Sequence, residues 1–233
     1  MPDQSADLSD LRDQLVAANH ILVAHRVLDA FGHVSARVDE DSFLISRNLA
    51  PGSVTADDLQ LHHLAGGVDS AERPYLETHI HAEIYRARPD VRAIVHSHSA
   101  SILPFGLTDT AFVPVMHMAS FLGDAVPVYD QRDAVGDGTD LLVTDEARGR
   151  ALATTLGDRT LVLMRGHGST AVGGSIPEVT FRAIYAETNA SVLLATLPLG
   201  SPVALSPAES STATASIGGQ IARAWNVWRS AID

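Results

Sequence analysis

Apolar side chains recur every three to four residues in several parts of the chain, which is the pattern of helices with one buried face. Gly32 ends the first of these runs, Pro89 ends the second, and Ser175 with Glu178 has the spacing of a capping box at the start of the last. The helices that this spacing predicts span residues 7–30, 77–87, 100–106, 143–156 and 176–197.

Shorter runs are rich in β-branched residues or alternate between apolar and polar positions, and they predict strands. These strands are residues 33–38, 42–46, 60–64, 91–99, 112–118, 126–129, 160–166 and 169–173. Helices and strands alternate along the chain, so the pattern predicts one α/β domain over residues 1–205. Residues 206–233 begin rich in Ser, Ala and Thr and end with helical spacing, and we expect them to dock on the same domain or on a neighbouring subunit.

Composition and charge limit the classes of function that the protein can have. The chain has 45% hydrophobic and 19% charged residues, as an ordinary globular protein does, and no apolar run of about 18 residues that could cross a membrane. The polar, acidic start does not resemble a signal peptide and predicts a cytoplasmic protein. A net charge of -12 without a basic cluster argues against nucleic acid and against an anionic membrane as partners. No cysteine is present, so any metal ligands must be His, Asp or Glu.

His96 and His98 follow the apolar run VRAIV and are separated by one residue. Because side chains on a strand alternate between its faces, both imidazoles project from the same side and can reach one ion. Two unrelated surface histidines remain the alternative, but the apolar run favours a buried strand, and buried imidazoles need partners.

His167 follows a second apolar strand, within RGHGST, and can add a third imidazole to the site. Three protein ligands with one open position are the usual arrangement of a catalytic metal, although a turn histidine without a function is the alternative. Glu77 starts the helix that precedes the His96 strand, so it can stand beside the histidines as a fourth ligand or as a proton carrier. A glutamate in a first helical turn is also favoured by the helix dipole alone.

Together these residues resemble the class II aldolase/adducin family, through YLETHIHAEIYRARPDVRAIVHSHS and, about seventy residues later, LMRGHGSTAVG. The resemblance covers roughly residues 8–197. It implies a three-layer α/β/α sandwich with a mainly antiparallel central sheet, assembled as a homo-oligomer with a tetramer favoured. It also implies one divalent metal ion per subunit, namely zinc, manganese, cobalt, iron or magnesium, and no organic cofactor. The metal ligands that it implies are His96, His98, His167 and Glu77.

Sugar-phosphate members of this family bind phosphate through small polar groups at three places, which here read Gly32-His33, Ser46-Arg47 and Tyr75-Leu76. The phosphate cradle is therefore lost, and we expect His33, Ser46 and Tyr75 to contact a different substrate. Arg47 can hold a carboxylate through two parallel hydrogen bonds, unless it is only a surface arginine.

These departures resemble the decarboxylase branch of the family, as do FGHVSAR, SRNLAP, RPYLE and PVMHMASFLG. The resemblance adds His117 as a site residue, whereas a histidine in a Met-rich strand is the alternative. It implies a metal-dependent lyase that decarboxylates a small anionic substrate, namely a carboxylated hydroxymuconate semialdehyde or a dihydroxy aromatic acid. The metal would stabilise an enolate, Arg47 would orient a carboxylate, and His117 or Glu77 would carry the proton. The alternatives are an aldolase acting on a non-phosphorylated or carboxylated hydroxy-carbonyl substrate, and a non-catalytic metal-binding scaffold as in adducin.

Overall fold

The structure, a computed structural model, describes residues 4–232 and the side chains from residue 8 onward. Among these residues, no helix combines the length and the apolar character that a membrane-spanning segment requires. The helices are α1 (Gln4–Ala24), α2 (Thr78–Ala87), α3 (Gln131–Val135), α4 (Glu146–Leu156), α5 (Ile176–Thr196), α6 (Pro207–Gly218) and α7 (Ile221–Arg229).

Seven strands form one sheet in the order β3-β2-β1-β4-β7-β6-β5. The strands are β1 (His33–Arg37), β2 (Ser42–Ser46), β3 (Leu59–His63), β4 (Ala93–Ser97), β5 (Val128–Tyr129), β6 (Leu161–Met164) and β7 (Gly168–Gly173). All neighbouring pairs are antiparallel except β5 and β6, which run parallel. The predicted, mainly antiparallel central sheet is therefore confirmed.

Both faces of the sheet are covered, which is why its central strands carry buried residues at every position. On one face, Leu22 of α1, Ala186 of α5 and Val95 of β4 belong to the same apolar core. On the other face, Ile84 of α2 and Leu152 of α4 belong to a second apolar core. Two helical layers enclose the sheet, so the predicted three-layer sandwich is confirmed.

The prediction of a strand over residues 112–118 is wrong. This segment lies against α5, where the side chain of Asn189 accepts a hydrogen bond from the Val115 N–H and donates one to the Val113 carbonyl, each at 2.9 Å. A side-chain amide therefore satisfies backbone groups that a neighbouring strand would otherwise bind. The chain then forms a short 3-10 helix over His117–Leu122. The predicted helix over residues 100–106 is likewise reduced to a 3-10 turn, Leu103–Gly106.

The C-terminal helices pack on their own chain. Trp225 of α7 is buried within the apolar core on the α1 and α5 side of the sheet. The ring of Trp228 lies 5.2 Å from that of His25 and 6.2 Å from that of Tyr185, measured between centroids. The aromatic residues of α7 thus contact the α1 and α5 side of the same chain. The division into a domain over residues 1–205 and a docked tail over residues 206–233 stays a prediction.

Candidate metal centre

The three predicted histidine ligands meet at one edge of the sheet. His96 and His98 lie at the end of β4, and His167 lies in the turn between β6 and β7. Strands β4 and β7 are antiparallel neighbours, with Ser97 opposite Ser169, so the end of one strand is beside the start of the other. The sheet register therefore brings together residues that are about seventy positions apart in sequence.

The four predicted ligands form a compact group in which their donor atoms lie within 4.8 Å of one another. The Nε2 atoms of His96 and His98 are 3.1 Å apart. The Oε2 atom of Glu77 lies 3.6 Å from His167 Nε2 and 3.9 Å from His96 Nε2. Three imidazole nitrogens and one carboxylate oxygen thus converge on one point, as ligands of a small cation do.

The protonation of the histidines suits a metal. The Thr170 hydroxyl is placed to donate its hydrogen to Met164 Sδ at 3.4 Å, and in that arrangement its Oγ1 accepts from His96 Nδ1–H at 3.3 Å. This bond leaves the lone pair of His96 on Nε2, the atom that faces the other ligands. Burial, followed by the nearby histidines, holds the pKa of His96 well below its usual value, and the same causes lower the pKa of His98. Neutral imidazoles are the form that binds metal, so these residues fit a divalent ion.

Glu77 precedes α2 as its N-terminal cap residue, and its two carboxylate oxygens have different partners. Oε1 accepts a hydrogen bond from the Val143 N–H at 2.9 Å, whereas Oε2 faces the histidines. Burial alone would raise the pKa of Glu77, but the neighbouring His167 and His33 and the Val143 N–H favour the carboxylate. Together they outweigh burial and hold the pKa of Glu77 below its usual value. Glu77 is therefore an anion at neutral pH and can act as a ligand or as a proton acceptor.

Two glycines allow the backbone to approach the histidine strands closely. A Cβ atom on Gly168 would lie only 2.1 Å from the Ser97 carbonyl oxygen, so no larger residue fits beside His167. A Cβ atom on Gly32 would lie 2.8 Å from the His96 carbonyl oxygen, and Gly32 also has a positive φ of +89°. At both places a glycine stands next to a histidine of the site because the backbone packs closely there.

A cavity of about 330 Å³ opens beside the ligands. Its lining residues are mostly apolar: Ala30, Phe31, Gly32, His33, Asn48, Leu49, Ala50, Tyr75, Leu76, Glu77, His98 and Leu142. The predicted substrate residues His33 and Tyr75 are both in this lining, with ring centroids 4.7 Å apart. The predicted residue Ser46 lies behind the wall, where its Oγ is 3.3 Å from the Tyr75 hydroxyl. That hydroxyl donates to the Leu49 carbonyl at 2.6 Å, which fixes the ring in place.

The other two predicted site residues are not in this lining. Arg47 donates from Nε to Asp58 Oδ1 at 2.7 Å, and its side chain is 39% exposed. His117 is exposed at the start of its 3-10 helix. Sequence reasoning also missed Phe31, which is 67% exposed and whose ring centroid lies 6.4 Å from that of His98. The sequence signal that could have identified Phe31 is its position directly before Gly32-His33.

Comparison with known proteins identifies the family. Residues 13–194 match the family described as Class II Aldolase and Adducin N-terminal domain, so the chain belongs to this family. The decarboxylase tropJ of Talaromyces stipitatus is 41% identical to the chain over 205 residues, which cover 81% of this chain and 77% of the relative. The 3,4-dihydroxyphthalate decarboxylase of Terrabacter sp. is 31% identical over 223 residues, which cover 88% of this chain and 89% of the relative.

The fold is shared with a sugar-phosphate enzyme. L-fuculose 1-phosphate aldolase from Glaciozyma antarctica superposes with a TM-score of 0.82 at 22% identity, and the match covers 100% of this chain and 92% of that one. Decarboxylases and aldolases both break carbon–carbon bonds, and the curated relatives above are decarboxylases. The prediction of a carbon–carbon lyase, with decarboxylation favoured over aldol cleavage, is confirmed by these comparisons.

Proposed function

We propose that this chain is a metal-dependent decarboxylase of a small carboxylated dihydroxy aromatic acid or hydroxymuconate semialdehyde. The observation that carries the proposal is the convergence of three imidazoles and Glu77 beside a mostly apolar cavity that Glu77 and His98 line. Apolar walls suit the planar carbon skeleton of such a substrate. The names of the two decarboxylase relatives support the same reaction class.

The ligands would be His96, His98 and His167, with Glu77 as a fourth ligand in the resting site. A divalent ion bound there would supply positive charge for the electron pair that remains when the carboxylate leaves. The protein's part is to orient the substrate and to exclude water. His33 and Tyr75 form a rigid polar corner of the cavity, and Phe31 with Leu76 presents exposed apolar surface at its opening.

Glu77 is the residue best placed to move the proton. As an anion it can accept the proton of a substrate hydroxyl, and it can return that proton to carbon after carbon dioxide leaves. The carbon–carboxylate bond then breaks, its electron pair stays on carbon, and a carbon–hydrogen bond forms. His117 does not line the cavity of its own chain. It could transfer the proton only in a site to which a second copy of the protein contributes.

Release of carbon dioxide is the test of this function. Protein reconstituted separately with zinc, manganese, cobalt, iron and magnesium is supplied with 3,4-dihydroxyphthalate and with a carboxylated hydroxymuconate semialdehyde. We expect one equivalent of carbon dioxide per product and, in deuterium oxide, one deuterium on the carbon that lost the carboxylate. Release of an aldehyde from hydroxy-carbonyl substrates without carbon dioxide would instead identify an aldolase. Metal binding without any turnover would identify a scaffold.

Arg47 is still proposed to bind a carboxylate group of the substrate. Only its Nε is engaged with Asp58, and the next residue, Asn48, lines the cavity. We expect Arg47→Ala to raise KM by about tenfold, because a charge-assisted hydrogen bond is lost, while the metal content stays at the wild-type level. Steady-state kinetics with metal analysis measure both quantities. Arg12→Ala, which removes an exposed bond to the Ala56 carbonyl near the same loop, is the matched control. An unchanged KM for Arg47→Ala would exclude this part.

A further inference from the structure

A chain of four buried polar side chains leads from the cavity into the protein. His33 Nδ1 lies 2.7 Å from His81 Nε2, and His81 Nδ1 lies 2.6 Å from Ser35 Oγ. The Ser35 Oγ lies 2.8 Å from the Tyr85 hydroxyl. All four residues are at most 3% exposed. We call this set the histidine chain.

Regular secondary structure builds the histidine chain. His33 and Ser35 are two positions apart on β1, so their side chains share the face that α2 covers. His81 and Tyr85 are four positions apart on α2 and stack along one side of that helix. The helix packs on the strand so that the four groups interleave. Their contacts therefore depend on a helix–strand interface rather than on a flexible loop.

The hydrogen bonds of the histidine chain can all point from Tyr85 toward His33, so that each donor hydrogen has an acceptor. Within the described part of the protein, the Tyr85 hydroxyl has Ser35 Oγ as its hydrogen-bond partner, so Tyr85 donates to Ser35. Ser35 then donates to His81 Nδ1, and neutral His81 donates from Nε2 to His33 Nδ1. The reverse direction would leave the buried hydroxyl hydrogen of Tyr85 without an acceptor, which is unfavourable.

This direction determines the tautomer of His33. Because Nδ1 accepts from His81, a neutral His33 carries its hydrogen on Nε2. His33 lines the cavity, and its Nε2 makes no hydrogen bond within the described residues and is not enclosed by the protein. The cavity therefore contains an oriented N–H donor beside the metal ligands, where the ring of His33 lies 5.0 Å from that of His96.

We propose that the Nε2–H of His33 donates a hydrogen bond to an oxygen of the substrate on which negative charge develops. We assign His81, Ser35 and Tyr85 as positioning residues that hold His33 in this tautomer. A neutral imidazole can stabilise an oxyanion as a fixed donor, without giving up its proton. The inference deepens the proposed decarboxylase function and rests on it for its kinetic consequence.

The tautomer can be measured without any substrate. Protein labelled with ¹⁵N-histidine and reconstituted with diamagnetic zinc is studied by NMR, and the His33 signals are assigned by their loss in His33→Asn. We expect a protonated Nε2 and an unprotonated Nδ1. A hydrogen on Nδ1 of His33 would overturn the inference while leaving the decarboxylase proposal intact. Conversely, a failure to release carbon dioxide would not change this spectrum.

Kinetics test whether His81 acts through its hydrogen bonds. Glutamine at position 81 can still accept from Ser35 and donate to His33, whereas leucine can do neither. We expect His81→Leu to lower kcat by about a hundredfold, as loss of an oxyanion donor does, with metal content unchanged and KM little affected. His81→Gln should recover most of kcat. Equal losses of kcat in the two variants would show that His81 only fills space.

A second pair of variants keeps the test informative if His81→Leu does not fold. Tyr85→Phe removes the hydroxyl that begins the histidine chain. Tyr129→Phe is its matched control, because Tyr129 is also buried in the same core. The Tyr129 hydroxyl donates to the Arg148 carbonyl at 3.4 Å and has no part in the histidine chain. We expect kcat to fall several-fold in Tyr85→Phe and to stay at the wild-type value in Tyr129→Phe. Equal kcat values in both would contradict the assignment of Tyr85.

Discussion

Replacement of His98 by alanine is expected to remove tightly bound metal and nearly all turnover. The His98 Nε2 lies 3.1 Å from that of His96, so its loss opens one side of the ligand group and leaves two imidazoles and a carboxylate. Loss of several kcal/mol of charge stabilisation in the transition state corresponds to a fall in kcat of at least about a thousandfold. His98 is only partly buried at the cavity, so the substitution should leave the fold intact.

Elemental analysis after dialysis, together with kcat, measures this effect. The matched control is His63→Ala, since His63 is also partly exposed and its Nε2 pairs with Asp69 at 3.0 Å, outside the ligand group. We expect one ion per subunit and wild-type kcat in the control. The ligand assignment is wrong if His98→Ala retains one ion per subunit and full activity.

Glu77→Gln is expected to cause the second largest fall in kcat. The substitution removes the charge of Glu77 but keeps its structural function. The glutamine Oε1 can still accept from the Val143 N–H, the bond that is 2.9 Å long in the wild type. The variant should therefore fold normally and keep the three histidines in place. It cannot accept a proton from the substrate, and we expect kcat to fall by about 10²–10⁴-fold, the usual contribution of a general acid or base.

The pH profile provides an independent signature of Glu77. The pKa of Glu77 lies below its usual value. Its reactive anion is therefore fully formed at any pH above the range in which an ordinary glutamic acid titrates. Activity of the wild type should persist as the pH falls through that range and decline only below it, whereas Glu77→Gln should lose this acidic limb. Glu83→Gln is the control, because Glu83 is buried on the same helix but pairs with Arg86. A wild-type kcat in Glu77→Gln would exclude Glu77 from proton transfer.

The convergence of the proposed metal ligands was predictable because their signals are local. The alternation expected of a strand predicts that His96 and His98 project to the same side, and the apolar runs before them and before His167 predict buried strands. Strand β4 ends at Ser97, directly before His98. The same reasoning failed at residues 112–118, where a short apolar run predicted a strand. There the side chain of Asn189, far away in sequence, binds the backbone instead. A pattern shows which residues prefer burial, but it does not show which partner satisfies their backbone.

The substrate side of the site was less predictable. Tyr75 and His33 were expected to contact the substrate and do line the cavity, whereas Arg47 is engaged by Asp58 and Ser46 lies behind Tyr75. These differences depend on the direction that a side chain takes at the end of β2. That direction is set by neighbouring loops and by ion pairs, which residue spacing does not encode.

Residue types along the chain are enough to define the side chains available as metal ligands, namely imidazole and carboxylate groups and no thiolate. The surroundings of those groups depend on how the chain folds. The Val143 N–H donates to one oxygen of Glu77, Thr170 contacts Nδ1 of His96, and His81 contacts Nδ1 of His33. Each of these contacts joins residues 48 to 74 positions apart, and a hydrogen bond depends on distance and angle in space. Such contacts exist only once the helices have packed on the sheet.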